Sequence, residues 1–211
     1  MNTKFKKIYQ KIFPPWETEN ILKLKKELSD SDRVLDLGCG PNSWIQFAEV
    51  QYSVGVELFE PYIQKSKTKK IHNEYIHSDI LKINFEPNSF DAVICIDVIE
   101  HLTKKEGIDL INKMELWAKK KIIIFTPNGY VSQKEYHSNH LQKHKSGWNS
   151  YELDELGFKL YGYGWKLLIG PQWECKYKPK IIWVILSDIT RKIPYYFINL
   201  SFAIFAVKRI K

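Results

Sequence analysis

Arginine is scarce in this sequence: Arg33, Arg191 and Arg209 are the only three among 32 basic residues, and the rest are lysines. Arginine is the side chain that grips phosphates with two parallel hydrogen bonds and stacks on bases. The net charge of +8 therefore reads as a solubility coat, and a dedicated nucleic-acid surface is disfavoured. The clusters "KSKTKK" (65–70) and "KKK" (119–121) fit solvated helix ends. Cysteine is equally sparse. Cys39, Cys95 and Cys175 lie far apart without a CxxC pair, which excludes a disulfide framework or structural zinc and points to a reducing cytoplasm. Long apolar runs are missing as well. The opening "MNTKFKKIYQKIFPPW" has no signal-peptide core. The stretch from "KIIWVILSDIT" to "INLSFAIFAVKR" is broken by Asp188, Arg191, Lys192 and Pro194, too often for a span of about 20 residues. A packed helix followed by a buried strand is expected there, with peripheral membrane contact left open.

What is present is a repeating α/β pattern. The 211 residues, 44% of them apolar, suit one domain over 1–211: a helical extension (1–32), a core (33–130), and a lid with sheet-completing strands (131–211). In the extension, "TENILKLKKELS" puts Ile21, Leu24 and Leu28 on one helix face with Thr18 as its cap. Five apolar strands follow: "RVLDLG" (33–38), "YSVGVEL" (52–58), "EYIHSD" (74–79), "FDAVICID" (90–97) and "KIIIFTP" (121–127). Helical stretches separate several of them, clearest over 104–120. Continuous Val/Ile/Leu runs predict strands covered on both faces. Their alternation with helices predicts a doubly wound, mostly parallel sheet. A short helix over 150–158 with a glycine stop, and strands at 159–168 and 202–209 around an apolar helix, would complete seven strands.

The first strand breaks into "DLGCGPNS", with Asp36 two residues before Gly38 and the third glycine of a dinucleotide fingerprint replaced by Ser43. A pyrophosphate at this helix-start position would be repelled by the Asp36 carboxylate. A phosphate-free cationic nucleoside would be attracted, and S-adenosylmethionine (SAM), with its ammonium and sulfonium, meets that description. Gly38, Cys39 and Gly40 would bring the backbone close to it. Glu57, at the end of the second strand with Leu58 after it, is placed to accept both ribose hydroxyls. Asp79, at the end of the third strand, is placed to accept from the adenine amine, with Ile80 packing on the ring.

These stretches, together with "FDAVICIDVIEHL" (90–102) and "IIIFTPN" (122–128), resemble the class I SAM-dependent methyltransferases, particularly their type 11 group. The resemblance covers roughly residues 33–130. It implies an antiparallel last strand, Asp97 and its neighbouring backbone at the methionine end of SAM, and His101 of the "EHL" turn facing the acceptor.

The polar, aromatic segment 126–148 would overhang the transferable methyl. Within it His137, His140 and His144 match no standard zinc spacing, so no metal is expected. His140 and His144, with His101, are candidate general bases or acceptor contacts. "FPPW" (13–16) precedes the first strand, away from the place where amine-methylating nucleic-acid enzymes carry a Pro-Pro-aromatic motif, and reads as a turn or clamp. "HLQKHKSGW" is similar to a subgroup associated with cell-surface glycans. The expected function is methyl transfer to an oxygen of a small-molecule, sugar or lipid-linked acceptor. The alternatives are an RNA or protein methyltransferase, or a non-catalytic SAM-binding module.

Overall fold

The apolar runs form one seven-stranded sheet in the order β3-β2-β1-β4-β5-β7-β6. A computed structural model of the chain describes residues 16–133, 139–170 and 174–210. In chain order these carry α1 (Trp16–Leu28), β1 (Arg33–Leu37), β2 (Tyr52–Glu57), α2 (Glu60–Lys69), β3 (Glu74–His77), β4 (Phe90–Ile96), α3 (Lys104–Trp117) and β5 (Ala118–Pro127). There follow α4 (Ser150–Glu155), β6 (Lys159–Trp165), α5 (Lys180–Ile189), α6 (Lys192–Tyr196) and β7 (Ser201–Arg209). The pairs β1–β2, β1–β4, β2–β3 and β4–β5 are parallel. β7 runs antiparallel to both β5 and β6, as the resemblance implies.

Both faces of the sheet are covered, which is why its central strands lack polar alternation. Along β5, Ile122 and Ile124 join Leu110, Ile111, Met114 and Trp117 of α3 in one core. The intervening Ile123 and Phe125 point the other way, into a second core with Leu24 and Leu28 of α1 and Phe205 of β7. Each such side chain is at most 1% exposed, and burying one contributes about 1.5–3 kcal/mol. α3 starts where Thr103 and Glu106 form a reciprocal capping box, with Glu106 Oε2 accepting from Thr103 N at 2.8 Å.

Several boundaries differ from the sequence reading. α1 begins at Trp16, so Thr18 lies inside its first turn and does not precede it as a cap. α3 ends at Trp117, and the lysines of "KKK" sit on β5, where Lys121 is 1% exposed and donates to the Glu27 carbonyl at 2.6 Å and to Asp30. Apolar burial of Ile122 onward draws the strand back over residues whose charge suggested a helix end. α5 forms as expected, yet none of its residues is buried, and Ile182 and Ile189 are exposed. Hydrophobicity fixes the element here but not the surface that covers it. The stop after α4 is Gly157 at φ +83°. "FPP" and His137 lie outside the described residues.

Candidate active site

The carboxyl ends of β1, β2 and β4 and the residues following β3 open on one cleft of about 860 Å³. This is the switch-point crevice where open α/β sheets bind ligands. Asp36, Gly38, Cys39, Gly40, Glu57, Leu58, Asp79, Ile80, Asp97 and His101 all line it, so it gathers all nine residues assigned to the cofactor.

The β1 turn owes its shape to its glycines. Gly38 has φ +69°, and a Cβ there would lie 2.5 Å from Val98, so both backbone handedness and the approach of the β4 loop require glycine. Where a third glycine would stand, Ser43 donates to Asp36 Oδ2 at 2.5 Å and accepts from Ile45 N at 3.1 Å, starting a 3-10 turn over Trp44–Phe47. Asp36, 2% exposed, also takes His72 Nε2 on Oδ2 at 2.9 Å. His72 reaches it across Gly55, the residue in register with Asp36; a Cβ on Gly55 would stand 2.9 Å from the imidazole. The sequence reading missed His72, and the glycine inside β2 was the available signal.

Glu57 is 9% exposed, with Oε2 accepting from Gly40 N at 3.0 Å and Oε1 from Phe59 N at 2.8 Å. Burial pushes its carboxyl above the usual range, against the pull of those N–H groups. A buried acid held by backbone donors alone suits a partner such as a pair of ribose hydroxyls. Asp79 Oδ1 accepts from Leu81 N at 2.9 Å, while Ile80 is 8% exposed beside it. Burial, with Asp36 and Glu57 nearby, pushes the Cys39 thiol far up, so it packs rather than reacts. Asp36, Glu57 and Asp79 give this cleft a set of carboxyl groups that fits a cationic, phosphate-free nucleoside such as SAM.

Asp97 closes β4 at φ +53°, a left-handed conformation for a non-glycine residue, and its N–H donates to Phe125 O at 2.8 Å. Its carboxyl is exposed to the open cleft, and the protein groups crowding it raise its pKa by partial desolvation. The next turn, Ile99–His101, is where "EHL" meets "HLQKHKSGW". Lys145 N and Ser146 N donate to Glu100 O at 2.9 and 3.0 Å. Trp148, 1% exposed, donates from Nε1 to Ser146 Oγ at 3.1 Å and fills the gap left by Gly107 of α3.

That docking brings His144 to His101, with ring centroids 4.9 Å apart. His101 Nδ1 faces Lys143 O at 3.3 Å and His144 Nδ1 faces Val131 O at 2.6 Å. A carbonyl can only accept, so His144 carries its proton on Nδ1 and keeps the Nε2 lone pair, while His101 bonds the backbone of both Lys143 and Asp97. Burial and the neighbouring His144 lower His101 to about 4, and burial lowers His144, so both rings are neutral near pH 7. His140 is exposed and outside the cleft lining. The sequence reading weighed His137, His140 and His144 together; the structure instead groups His144 with Glu100 and His101, whose ligand-type atoms lie within 4.8 Å of one another.

Comparison with known proteins agrees with this geometry. Residues 35–121 match the family described as "Methyltransferase domain". Sterol 24-C-methyltransferase of Candida albicans is 33% identical over 100 residues, 43% of this chain and 26% of that protein. An uncharacterized protein of Methanocaldococcus jannaschii is 25% identical over 146 residues, 69% of this chain and 63% of that one. The chain thus spans about a quarter of the sterol enzyme's length and under two thirds of the archaeal protein's. Among solved structures, a SAM-dependent methyltransferase from Archaeoglobus fulgidus superposes with TM-score 0.58 at 18% identity, covering 99% of this chain and 100% of that one. The methyltransferase domain of a bacterial Hen1 gives 0.60 at 14%, covering 92% and 98%. Magnesium protoporphyrin IX methyltransferase from Synechocystis, solved with bound SAM, gives 0.52 at 15%, covering 98% and 92%. Residues 35–121 thus match a methyltransferase-domain model, and the chain shares the fold of these solved SAM-dependent methyltransferases.

Proposed function

We propose that the protein transfers the methyl group of SAM to an oxygen of a small-molecule, sugar or lipid-linked acceptor. The observation that carries this reading is one cleft lined by three strand-end acids together with the neutral imidazole of His101. SAM, when bound, supplies a methyl already activated by the sulfonium. The chain's part is alignment, which in model systems is worth about 7–11 kcal/mol. Glu57 and Asp79 fix the nucleoside, Asp36 and the Gly38–Gly40 backbone fix the amino-acid end, and Asp97 borders the reacting centre. The acceptor oxygen forms the new O–CH3 bond as the S–CH3 bond breaks, its electron pair passing to sulfur, and the acceptor's proton leaves. Lone-pair nitrogens at the cleft wall, able to take a proton or hold a Lewis acid, support oxygen over an amine acceptor, which needs neither. The exposed apolar residues of α5 support access to a lipid-linked substrate, although no helix among the described residues is long and apolar enough to cross a membrane.

The test has two stages. S-adenosylhomocysteine at about 100 times its Kd should stabilise the fold by about 2.7 kcal/mol, whereas NAD should leave it unchanged; the reverse pattern defeats the cofactor assignment. Labelled methyl donor is then offered with lipid, glycan, RNA and protein fractions. Label in lipid or glycan that survives as an ether or ester supports the proposal, and label confined to RNA or protein replaces it.

A further inference from the structure

We propose that Glu100, His101 and His144 bind one divalent first-row transition cation beside the cofactor cleft, and that this cation receives the acceptor's oxygen. Two imidazoles and one carboxylate on one side of a cation, with positions left open, form a donor set suited to zinc, iron or manganese. His144 already has the support that metal-bound histidines use, its Nδ1–H directed at a backbone carbonyl, and His101 Nδ1 likewise faces Lys143 O. Glu100 is 3% exposed, and Thr126 Oγ1 donates to its Oε2 at 3.1 Å. One ligand-type atom from each imidazole and from the buried carboxyl lies within 4.8 Å of the others, and a cation is a partner that binds all three together.

The dimensions are close to those required. Bonds of about 2.1 Å at the tetrahedral angle place ligand atoms about 3.4 Å apart; here they lie within 4.8 Å. His101, whose carbonyl contact is the longer of the two at 3.3 Å, is the ligand that would rotate inward on binding. The site is anchored from two directions, by the turn after β4 and by the loop that Trp148 pins to α3, so the loop and the metal ligands are positioned together. Because His101 lines the cleft, a cation held there would border the space in which the acceptor must meet SAM. A hydroxyl on the cation becomes more acidic: its proton passes to solvent, and the resulting oxygen attacks the methyl carbon as described above.

The role in acceptor binding rests on the methyl-transfer reading; cation binding by itself does not. The full chain, stripped with chelator, is titrated with Co²⁺ and followed by its visible d–d absorption, with S-adenosylhomocysteine binding measured in parallel. One equivalent of cobalt is expected. Glu100→Gln and His144→Ala should each lower its affinity by about 100-fold or more while retaining S-adenosylhomocysteine binding, and His140→Ala should change neither. In the wild-type cobalt protein, two solvent-exchangeable, paramagnetically shifted proton resonances should report one ring N–H group on each bound imidazole, a readout independent of how the variants fold. Protein that binds S-adenosylhomocysteine but takes up no cobalt, shows fewer than two such resonances, or keeps its cobalt affinity in both ligand variants overturns the proposal. Cobalt binding without S-adenosylhomocysteine binding would leave the cation site standing and remove the methyl-transfer reading.

Discussion

Replacing His72 by Ala removes the imidazole from a buried pair whose members are 6% and 2% exposed. Asp36 would keep the Ser43 hydroxyl on Oδ2 but lose the Nε2 contact at 2.9 Å. Removing one partner of a buried hydrogen bond and leaving the other short of a donor costs about 1–3 kcal/mol. For a chain of this length each kcal/mol shifts Tm by about 2–4 °C, so the expected drop is about 2–12 °C. His72→Gln, which retains an N–H donor, should lose less. Equilibrium urea unfolding followed by tryptophan fluorescence gives the free energy directly, and an unchanged slope shows that the same surface is exposed. Asp36→Ala measured with and without His72→Ala isolates the pair, with a coupling of about 0.5–3 kcal/mol expected for contacting residues. A loss below about 1 kcal/mol for His72→Ala, or additive effects in the double variant, would refute the view that this pair secures the glycine turn.

Three further outcomes follow from the same geometry. Glu57→Ala should weaken S-adenosylhomocysteine binding by about tenfold or more, since each lost hydrogen bond to a charged acceptor is worth about 1.5–3 kcal/mol; unchanged affinity in calorimetry removes Glu57 from the site. Trp148→Ala should destabilise by about 3–5 kcal/mol and raise hydrogen exchange across 139–148 before it does so in β4 and β5; uniform exchange would show that the ring does not pin the loop. Asp91 accepts from Asp32 N and Arg33 N, each at 3.0 Å. Burial alone would raise its pKa, but Arg33 N–H, Lys120 and Asp32 N–H outweigh it and hold the carboxyl below its ordinary value. With the folded pKa depressed, its stabilisation is present above the unfolded value and lost as pH falls through the folded one. The stability gap between wild type and Asp91→Asn should therefore narrow on acidification below about pH 4, and a pH-independent gap would contradict this.

The middle of the sheet was legible because its central strands are covered on both faces: Val/Ile/Leu runs such as Ile122–Phe125 have few other places in a chain of this size. The three strand-end acids were legible because parallel strands of similar length bring equal spacings to one edge. Long-range pairing was not. His72 sits in a short turn, 36 residues from Asp36, and its sequence neighbours carry no sign of the carboxylate beneath it. Likewise "EHL" and "HLQKHKSGW" each stood out, but nothing in either showed that a tryptophan entering a helix notch would bring His144 against His101. The lysines before Ile122 misled for the opposite reason: local charge suggested solvent, and the core on either side of β5 overrode it.

The notch at Gly107 has a wider consequence. Trp148 seated in α3, with the Lys145 and Ser146 N–H groups on Glu100 O, holds the C-terminal end of the overhanging segment, so changes at exposed positions such as His140 leave that anchor in place. Such an arrangement lets a lineage exchange its substrate range while keeping its reactive geometry, and it makes a glycine in α3 matched by a tryptophan some forty positions later the marker to seek in other chains built on this plan.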